Sequence, residues 1–185
     1  LDRLLAKHDS MGRNRARELV VARRVTVDGA PVIRIDLEVD RFSRVAVDGI
    51  EIRPAERLIH LMLHKPAGVV SATRDAENRT VIDLIEDPDR ESLHLVGRLD
   101  RNTTGLVLLT NDGRWSKRLM DPLSKVPKVY RVATRDPIPE SAIQAFAEGF
   151  HFHTENLTTL PAELEILCSH EARLTLHEGR YHQVK

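Results

Sequence analysis

The sequence contains one cysteine, few aromatic residues and no long hydrophobic run. Its single cysteine, Cys168, excludes an intramolecular disulfide and any metal site built from several cysteines. No stretch approaches the roughly 18 uninterrupted apolar residues of a membrane-spanning helix. The first residues lack the charged head and apolar segment of a secretory signal. With no coiled-coil pattern either, these absences predict a monomer that works in the cytoplasm without membrane contact.

The chain also lacks an excess of either charge, because its 28 basic residues balance its 28 acidic ones. The two signs are nonetheless unevenly distributed along the chain. Residues 1–24 hold seven basic residues against three acidic ones. Such arginines often belong to a solvated helix face, and a polyanionic partner is the alternative explanation.

Residues 1–50 carry the pattern of a small separate module. Apolar spacing predicts helices over 1–8 and 14–24, followed by β-branched strands that end at Asp28-Gly29 and Asp48-Gly49, two hairpin signals. This arrangement resembles the αL RNA-binding domain of ribosomal-protein-S-four type. The resemblance implies RNA contacts at Arg3, Arg13, Arg15, Arg17, Arg23 and Arg24.

The remaining chain predicts a second, larger domain. A composition shift at 51–57, interrupted by Pro54, indicates a linker, and residues 58–185 mix several short strands with fewer helices. Hairpins outnumber βαβ patterns, which predicts an α+β fold on a mainly antiparallel sheet. The predicted strands are 58–63, 69–73, 106–110, 129–134, 164–167 and 173–176, and the predicted helices are 81–85, 115–120 and 139–150.

Segment 97–105, Gly-Arg-Leu-Asp-Arg-Asn-Thr-Thr-Gly, places a carboxylate between two apolar runs. The glycines at its ends, Gly97 and Gly105, permit backbone conformations that a side chain would forbid. A charged group close to a core normally acquires a partner or a task. Asp100 is therefore a candidate catalytic residue, and the competing interpretation is an aspartate that caps its own turn.

Two further segments carry candidate residues. Tyr130 lies in a predicted strand between basic residues, where a tyrosine is most often a half-buried packing residue. Residues 178–185, Glu-Gly-Arg-Tyr-His-Gln-Val-Lys, form a dense polar run after a strand. Such a run is usually exposed.

Together, segments 65–68 (Lys-Pro-Ala-Gly), 97–113, 128–130 and 178–185 resemble the RsuA-type branch of the pseudouridine synthase family. The resemblance covers essentially the whole chain, including the first module. It implies an RNA-binding domain at 1–50 and a pseudouridine synthase domain at 58–185 with a mainly antiparallel mixed sheet. Family members commonly continue beyond the position of Lys185, so the C-terminal part of this domain is expected to be missing.

The resemblance also implies a reaction and its residues. The enzyme would flip one uridine out of ribosomal RNA and isomerise it to pseudouridine without a cofactor or metal. The resemblance is closer to the enzymes of the small subunit, which implies 16S rRNA as the substrate. Asp100 matches the essential aspartate, and Tyr130 matches the tyrosine that packs against the base and is a candidate for removing the proton from carbon 5. Lys185 matches the cation that pairs with the aspartate, and Arg98 matches the arginine that contacts RNA or holds the base out. Two further RNA contacts are expected at Lys65 and Arg180.

Several alternatives stay open from the sequence. The carboxylate could attack the sugar carbon as a nucleophile or remove the 2′ proton to give a glycal. The target could be 23S rRNA, or the chain could be a non-catalytic rRNA-binding assembly factor. A hydrolase with paired carboxylates has little support, because only one acidic residue stands out in a structured segment.

Overall fold

The computed structural model of the chain describes residues 1–8, 12–124, 126–152 and 156–179. It divides into two compact units, Leu1–Leu58 and Ile59–Lys185. No helix in these described segments has the length and apolar character that a bilayer crossing requires.

The first unit begins with two packed helices, α1 (Asp2–Lys7) and α2 (Gly12–Val21). The inward residues of α2 follow the three- and four-residue spacing of a helical face, so that one stripe is buried. These helices form a core with the first strands; its buried members are Leu1, Leu5, Ala16, Leu19, Val20, Val25, Val32 and Val45.

Helix α2 ends three residues earlier than the sequence predicts. Arg23 has a φ of +54°, a left-handed conformation that terminates a helix. Arg24 consequently lies beyond the helix, so its predicted place at the end of a helix over 14–24 is wrong. Its guanidinium instead donates two hydrogen bonds to the Asp48 carboxylate, at 2.6 and 2.5 Å.

Four short antiparallel strands complete the first unit: β1 (Val25–Val27), β2 (Ala30–Pro31), β3 (Val45–Val47) and β4 (Ile50–Arg53), in the order β2-β1-β3-β4. Both Asp-Gly pairs adopt positive φ at each residue, with +51° and +85° at Asp28 and Gly29 and +52° and +80° at Asp48 and Gly49. This is the two-residue turn whose twist matches a hairpin, as the sequence predicts.

The predicted linker at 51–57 is wrong, because these residues belong to the first unit. Strand β4 includes residues 51–53, and the Arg53 guanidinium donates hydrogen bonds to the carbonyls of Asp40 and Ser43. The N–H of Glu56 also donates to the carbonyl of Arg41, at 2.8 Å. Hydrogen bonds therefore hold both halves of the segment against the unit that precedes it.

In the part of the second unit that the structure describes, antiparallel strands are combined with two α-helices. Its elements are β5 (His60–Lys65), β6 (His94–Val96), β7 (Gly105–Thr110), α3 (Gly113–Met120), β8 (Lys128–Ala133), α4 (Ser141–Glu148), β9 (His151–Phe152), β10 (Leu157–Thr158), β11 (Glu163–Cys168) and β12 (Glu171–Leu176). Three sheets result, with strand orders β5-β7-β6, β11-β12-β8 and β10-β9. All of these ladders are antiparallel, which confirms the predicted α+β class.

Two apolar clusters support the larger sheets of this unit. The first lies under β5 and β7 and includes Ile59, Val69, Val81, Ile82, Ile85, Leu93, Val107 and Leu109. The second lies under β8 and β12, where Ala162, Leu174 and Leu176 pack with Tyr130 and Phe146. Helix α3 begins where the Asp112 carboxylate accepts hydrogen bonds from the N–H groups of Arg114 and Trp115, as a helix N-cap does.

Two predicted elements of the second unit are wrong. Residues 69–73 form no strand, because only Val70 pairs, through a single parallel bridge to Thr80. The predicted helix at 81–85 is a short 3-10 turn, Ile82–Leu84. Residues 69–85 instead form a loop that places Val69, Val81 and Ile82 in the core and turns the side chain of Ser71 towards the 97–105 segment.

Candidate active site around Asp100

Asp100 lies half-buried in the loop that joins β6 to β7. The chain leaves β6 through Gly97, whose φ is +95°, and enters β7 through Gly105, whose φ is +132°. A side chain rarely adopts either conformation, so the glycines allow the sharp exit and return that the sequence predicts. The loop therefore presents Asp100 at one end of the β5-β7-β6 sheet.

The backbone on both sides of Asp100 is held by the turn that follows β5. The Ser71 hydroxyl donates to the carbonyl of Leu99 at 2.8 Å and accepts from the N–H of Leu99 at 3.0 Å. The N–H of Gly68 donates to the carbonyl of Arg101 at 2.7 Å, and the Arg101 side chain donates back to the carbonyl of Gly68 at 3.2 Å. The loop is thus fixed immediately before and immediately after Asp100.

Lys65, at the end of β5, is completely buried and also holds this loop. Its ammonium donates to the carbonyl oxygens of Pro66 at 3.1 Å, Arg101 at 3.1 Å and Thr103 at 2.8 Å. Burial lowers the pKa of Lys65, and the nearby Asp100 carboxylate opposes that shift. All three ammonium hydrogens have acceptors, so the ammonium has no remaining donor or exposed surface for a phosphate.

The expectation that Lys65 contacts RNA is therefore wrong. The sequence does contain a signal for its burial, because Leu61, Leu63 and Lys65 alternate along one strand and must share a face. Leu61 and Leu63 pack against the apolar cluster of the β5-β7-β6 sheet, which places Lys65 on the inner side of that sheet.

Tyr130 lies at the centre of β8, half-buried and paired in register with Leu174 of β12. Burial raises the pKa of the Tyr130 phenol, and the Asp100 carboxylate raises it further. The Asp100 carboxylate therefore lies within electrostatic range of the phenol. The carboxylate is on the 97–105 loop and the phenol is on the other large sheet of the same unit, so the fold brings two different parts of the chain to one region.

The remaining predicted residues of the second unit have different locations. Arg98 is exposed on the 97–105 loop. Lys185 and Arg180 lie outside the described residues. Within the described segments no group of three or more histidine, cysteine, aspartate or glutamate side chains is arranged to hold a metal ion.

The predicted arginines of the first unit are all exposed, and two of them form ion pairs. Arg15 contacts Glu18 at 2.9 Å, and Arg24 contacts Asp48. The other four have no ion pair with any residue that the structure describes; these are Arg3, Arg13, Arg17 and Arg23.

Ser71 is the residue of this site that sequence reasoning misses. It is 7% exposed, and its partner Leu99 is distant in sequence. No periodicity or motif connects the two positions, so only the folded structure reveals the contact.

Comparison with known proteins identifies the family. Residues 59–185 match the family described as RNA pseudouridylate synthase. The whole chain is 51% identical to a Pseudomonas aeruginosa protein named ribosomal small subunit pseudouridine synthase A and covers 80% of it. Proteins of that name from Escherichia coli strain K12 and Vibrio cholerae are 38% and 39% identical, again over the whole chain and 80% of their length.

A solved structure described as a pseudouridylate synthase matches all of this chain and 80% of its own, with 35% identity and a TM-score of 0.67. These similarities confirm the resemblance that segments 65–68, 97–113 and 128–130 indicate. The chain belongs to the RNA pseudouridylate synthase family.

Proposed function

We propose that this enzyme converts one uridine of 16S rRNA into pseudouridine and that Asp100 is its catalytic carboxylate. The observation that carries the proposal is the 51% identity, over the whole chain, with a protein named ribosomal small subunit pseudouridine synthase A. The location of Asp100 supports it, because a half-buried carboxylate on an anchored loop, within electrostatic range of the Tyr130 phenol, can act on a nucleotide held against that ring.

The reaction breaks the bond between ribose carbon 1′ and uracil nitrogen 1, turns the base, and rejoins it through carbon 5. The Asp100 carboxylate can attack carbon 1′, and the ester bond then breaks as the bond to carbon 5 forms. Alternatively it removes the 2′ proton to give a glycal and returns that proton when the bond to carbon 5 forms. All rearranged atoms belong to one nucleotide, so the reaction needs no group donor and no redox partner. The uridine must leave its stack to reach the site, at a cost of about a few kcal/mol.

Tyr130 supplies the surface on which the flipped base stacks. Stacking of a base on an aromatic side chain contributes about 1–3 kcal/mol, which offsets part of the flipping cost. The raised pKa of Tyr130 keeps the phenol protonated at neutral pH. This favours a relay over a standing phenolate: the phenol accepts the proton from carbon 5 as it passes its own proton to the Asp100 carboxylate. Asp100 then loses that proton to solvent, and uracil nitrogen 1, freed from the sugar, takes one up. The N1–H bond formed therefore balances the C5–H bond broken, and the carboxylate is restored.

The cation that pairs with Asp100 is proposed to be Lys185, as the family resemblance implies. A positive charge beside the carboxylate favours its ionised form, which both routes of bond cleavage need. On the same basis Arg98 and Arg180 are proposed to contact the RNA around the flipped nucleotide. The exposure of Arg98 on the Asp100 loop supports its part in this proposal.

The first unit is proposed to be an RNA-binding module of ribosomal-protein-S-four type. Its support is the cluster of exposed cations on and around the two helices, of which four lack an ion pair with any described residue. Phosphate contacts from such cations give affinity without reading sequence and depend strongly on salt. A ribosomal RNA substrate is also consistent with the cytoplasm as the place of action.

A modification map of rRNA from a strain that lacks this protein tests the proposal. Carbodiimide treatment and primer extension mark each pseudouridine, and we expect one 16S rRNA mark to be absent and to return after incubation with the purified enzyme. Naked 16S rRNA and small-subunit assembly intermediates serve as parallel substrates. An unchanged 16S map would refute the proposal, and a missing mark in 23S rRNA would reassign the target.

A further inference from the structure

Ser71 forms an unusual contact, because one hydroxyl group satisfies both backbone groups of the residue before Asp100. Its oxygen accepts from the N–H of Leu99 at 3.0 Å, and its hydrogen is donated to the carbonyl of Leu99 at 2.8 Å. A serine hydroxyl has one donor and two acceptor sites, so both bonds can exist at once. The side chain takes the place that a neighbouring strand would occupy beside Leu99.

These two bonds fix the peptide plane from which Asp100 projects. The carbonyl of Leu99 belongs to the peptide group that contains the nitrogen of Asp100, so a bond to that oxygen orients the plane. Two peptide groups further on, the carbonyl of Arg101 is held by the N–H of Gly68 and the ammonium of Lys65. Hydrogen bonds thus hold the loop at the peptide group before Asp100 and at the carbonyl of the residue after it.

We propose that Ser71 is a positioning residue for catalysis: its hydroxyl holds Leu99 so that the Asp100 carboxylate faces the sugar of the flipped uridine. The inference rests on the proposed role of Asp100. Ser71 does not touch the substrate in this account and acts only through the backbone. A small displacement of a reacting group can cost about 100-fold in rate, so loss of these bonds is expected to lower the rate of the chemical step.

The test compares Ser71→Ala with a matched control in the natural full-length protein. Ser116 is the control because it is also buried, at 3% exposure against 7% for Ser71. Its hydroxyl forms two hydrogen bonds as well, with the ring of His94 at 2.8 Å and with the carbonyl of Gly113 at 3.2 Å. Gly113 begins α3, which follows β7, and His94 pairs with Thr110 at that end of the sheet, so Ser116→Ala removes comparable bonds away from the Asp100 loop.

Single-turnover and steady-state assays of pseudouridine formation separate positioning from general stability. Ser71→Ala should lower kcat by about 10-fold to 100-fold. Its KM and RNA affinity should stay within about threefold of wild type, because the lost interaction serves only the transition state. Ser116→Ala should keep kcat within about twofold of wild type, even if its melting temperature falls as much as that of Ser71→Ala. Should Ser71→Ala fail to fold, Ser71→Cys keeps the volume without strong hydrogen bonds and is assayed in its place.

A wild-type kcat in the Ser71 variant would overturn the inference, as would a rise in KM alone or an equal loss of kcat in Ser116→Ala. Asp100→Asn, assayed in parallel, distinguishes these outcomes from failure of the proposed function. If Asp100→Asn is inactive while the Ser71 variant is unaffected, only the role of Ser71 is refuted. If Asp100→Asn modifies RNA at the wild-type rate, the role of Asp100 fails and the inference about Ser71 fails with it.

Discussion

Replacement of Lys65 by methionine should destabilise the second unit without weakening RNA binding. Methionine retains much of the length of the lysine side chain but cannot donate to the carbonyls of Pro66, Arg101 and Thr103, which the ammonium contacts at 2.8–3.1 Å. The carbonyl of Arg101 keeps its bond from the N–H of Gly68, so two carbonyls lose the donor that the structure gives them.

The size of the effect follows from these contacts. A polar group left without its partner in the interior costs about 1–3 kcal/mol, which gives about 2–6 kcal/mol for two carbonyls. Removal of a buried ammonium relieves its own desolvation penalty and offsets part of that loss. We therefore expect Lys65→Met to lower the free energy of unfolding by about 2–4 kcal/mol, whereas Lys117→Met, at an exposed position of α3, should change it by less than about 0.5 kcal/mol.

Urea denaturation and RNA titration measure the two consequences separately. The urea midpoint should fall for Lys65→Met with an unchanged slope, while the dissociation constant for RNA and its salt dependence stay at their wild-type values. A side chain that contacts phosphate would behave in the opposite way, with weaker and less salt-dependent binding and little change in stability. That opposite pattern would refute the assignment of Lys65 to the support of the Asp100 loop.

Three other predictions concern the loop, the aromatic residue and the first unit. Gly97→Ala should destabilise the protein by about 1–3 kcal/mol because φ is +95°, whereas Gly113→Ala at the start of α3 should be neutral or stabilising in the same thermal melts. Because the pKa of Tyr130 in the folded protein is raised above 10.0, the phenol of the unfolded chain loses its proton at a lower pH than that of the folded chain. The free energy of unfolding of the wild type should therefore fall more steeply above pH 10.0 than that of Tyr130→Phe. Equal slopes for the two proteins would contradict this prediction. Arg17→Ala should lower the slope of log affinity against log salt by about one, whereas Arg34→Ala, whose side chain already pairs with Asp36 at 2.7 Å, should not.

The parts of the fold that the sequence predicts correctly are those that depend on local chemistry. Asp-Gly pairs adopt positive φ in either context, so the hairpins at Asp28 and Asp48 form as expected. The glycines at 97 and 105 likewise imply a sharply turned loop, and the structure contains one. At these positions the residue type itself favours the backbone conformation that the fold requires.

The predictions of secondary structure and of the linker are wrong where contacts with distant parts of the chain determine the local structure. Residues 69–73 are β-branched and apolar enough for a strand, yet among the described residues only Val70 forms a bridge, to Thr80, and the Ser71 side chain bonds to Leu99 instead. Composition predicts a linker at 51–57, whereas hydrogen bonds to residues 40–43 hold this segment in the first unit. Such contacts join positions far apart in sequence, so no local pattern predicts them.

The most direct test of the role of Asp100 is the rate at which Asp100→Asn forms pseudouridine in unmodified 16S rRNA, measured beside wild type and beside Asp136→Asn, an exposed aspartate in the connection from β8 to α4. We expect Asp100→Asn to lose about 10²–10⁴-fold or more in rate while it binds RNA as tightly as wild type, and Asp136→Asn to keep the wild-type rate. Formation of pseudouridine by Asp100→Asn at the wild-type rate would contradict the account.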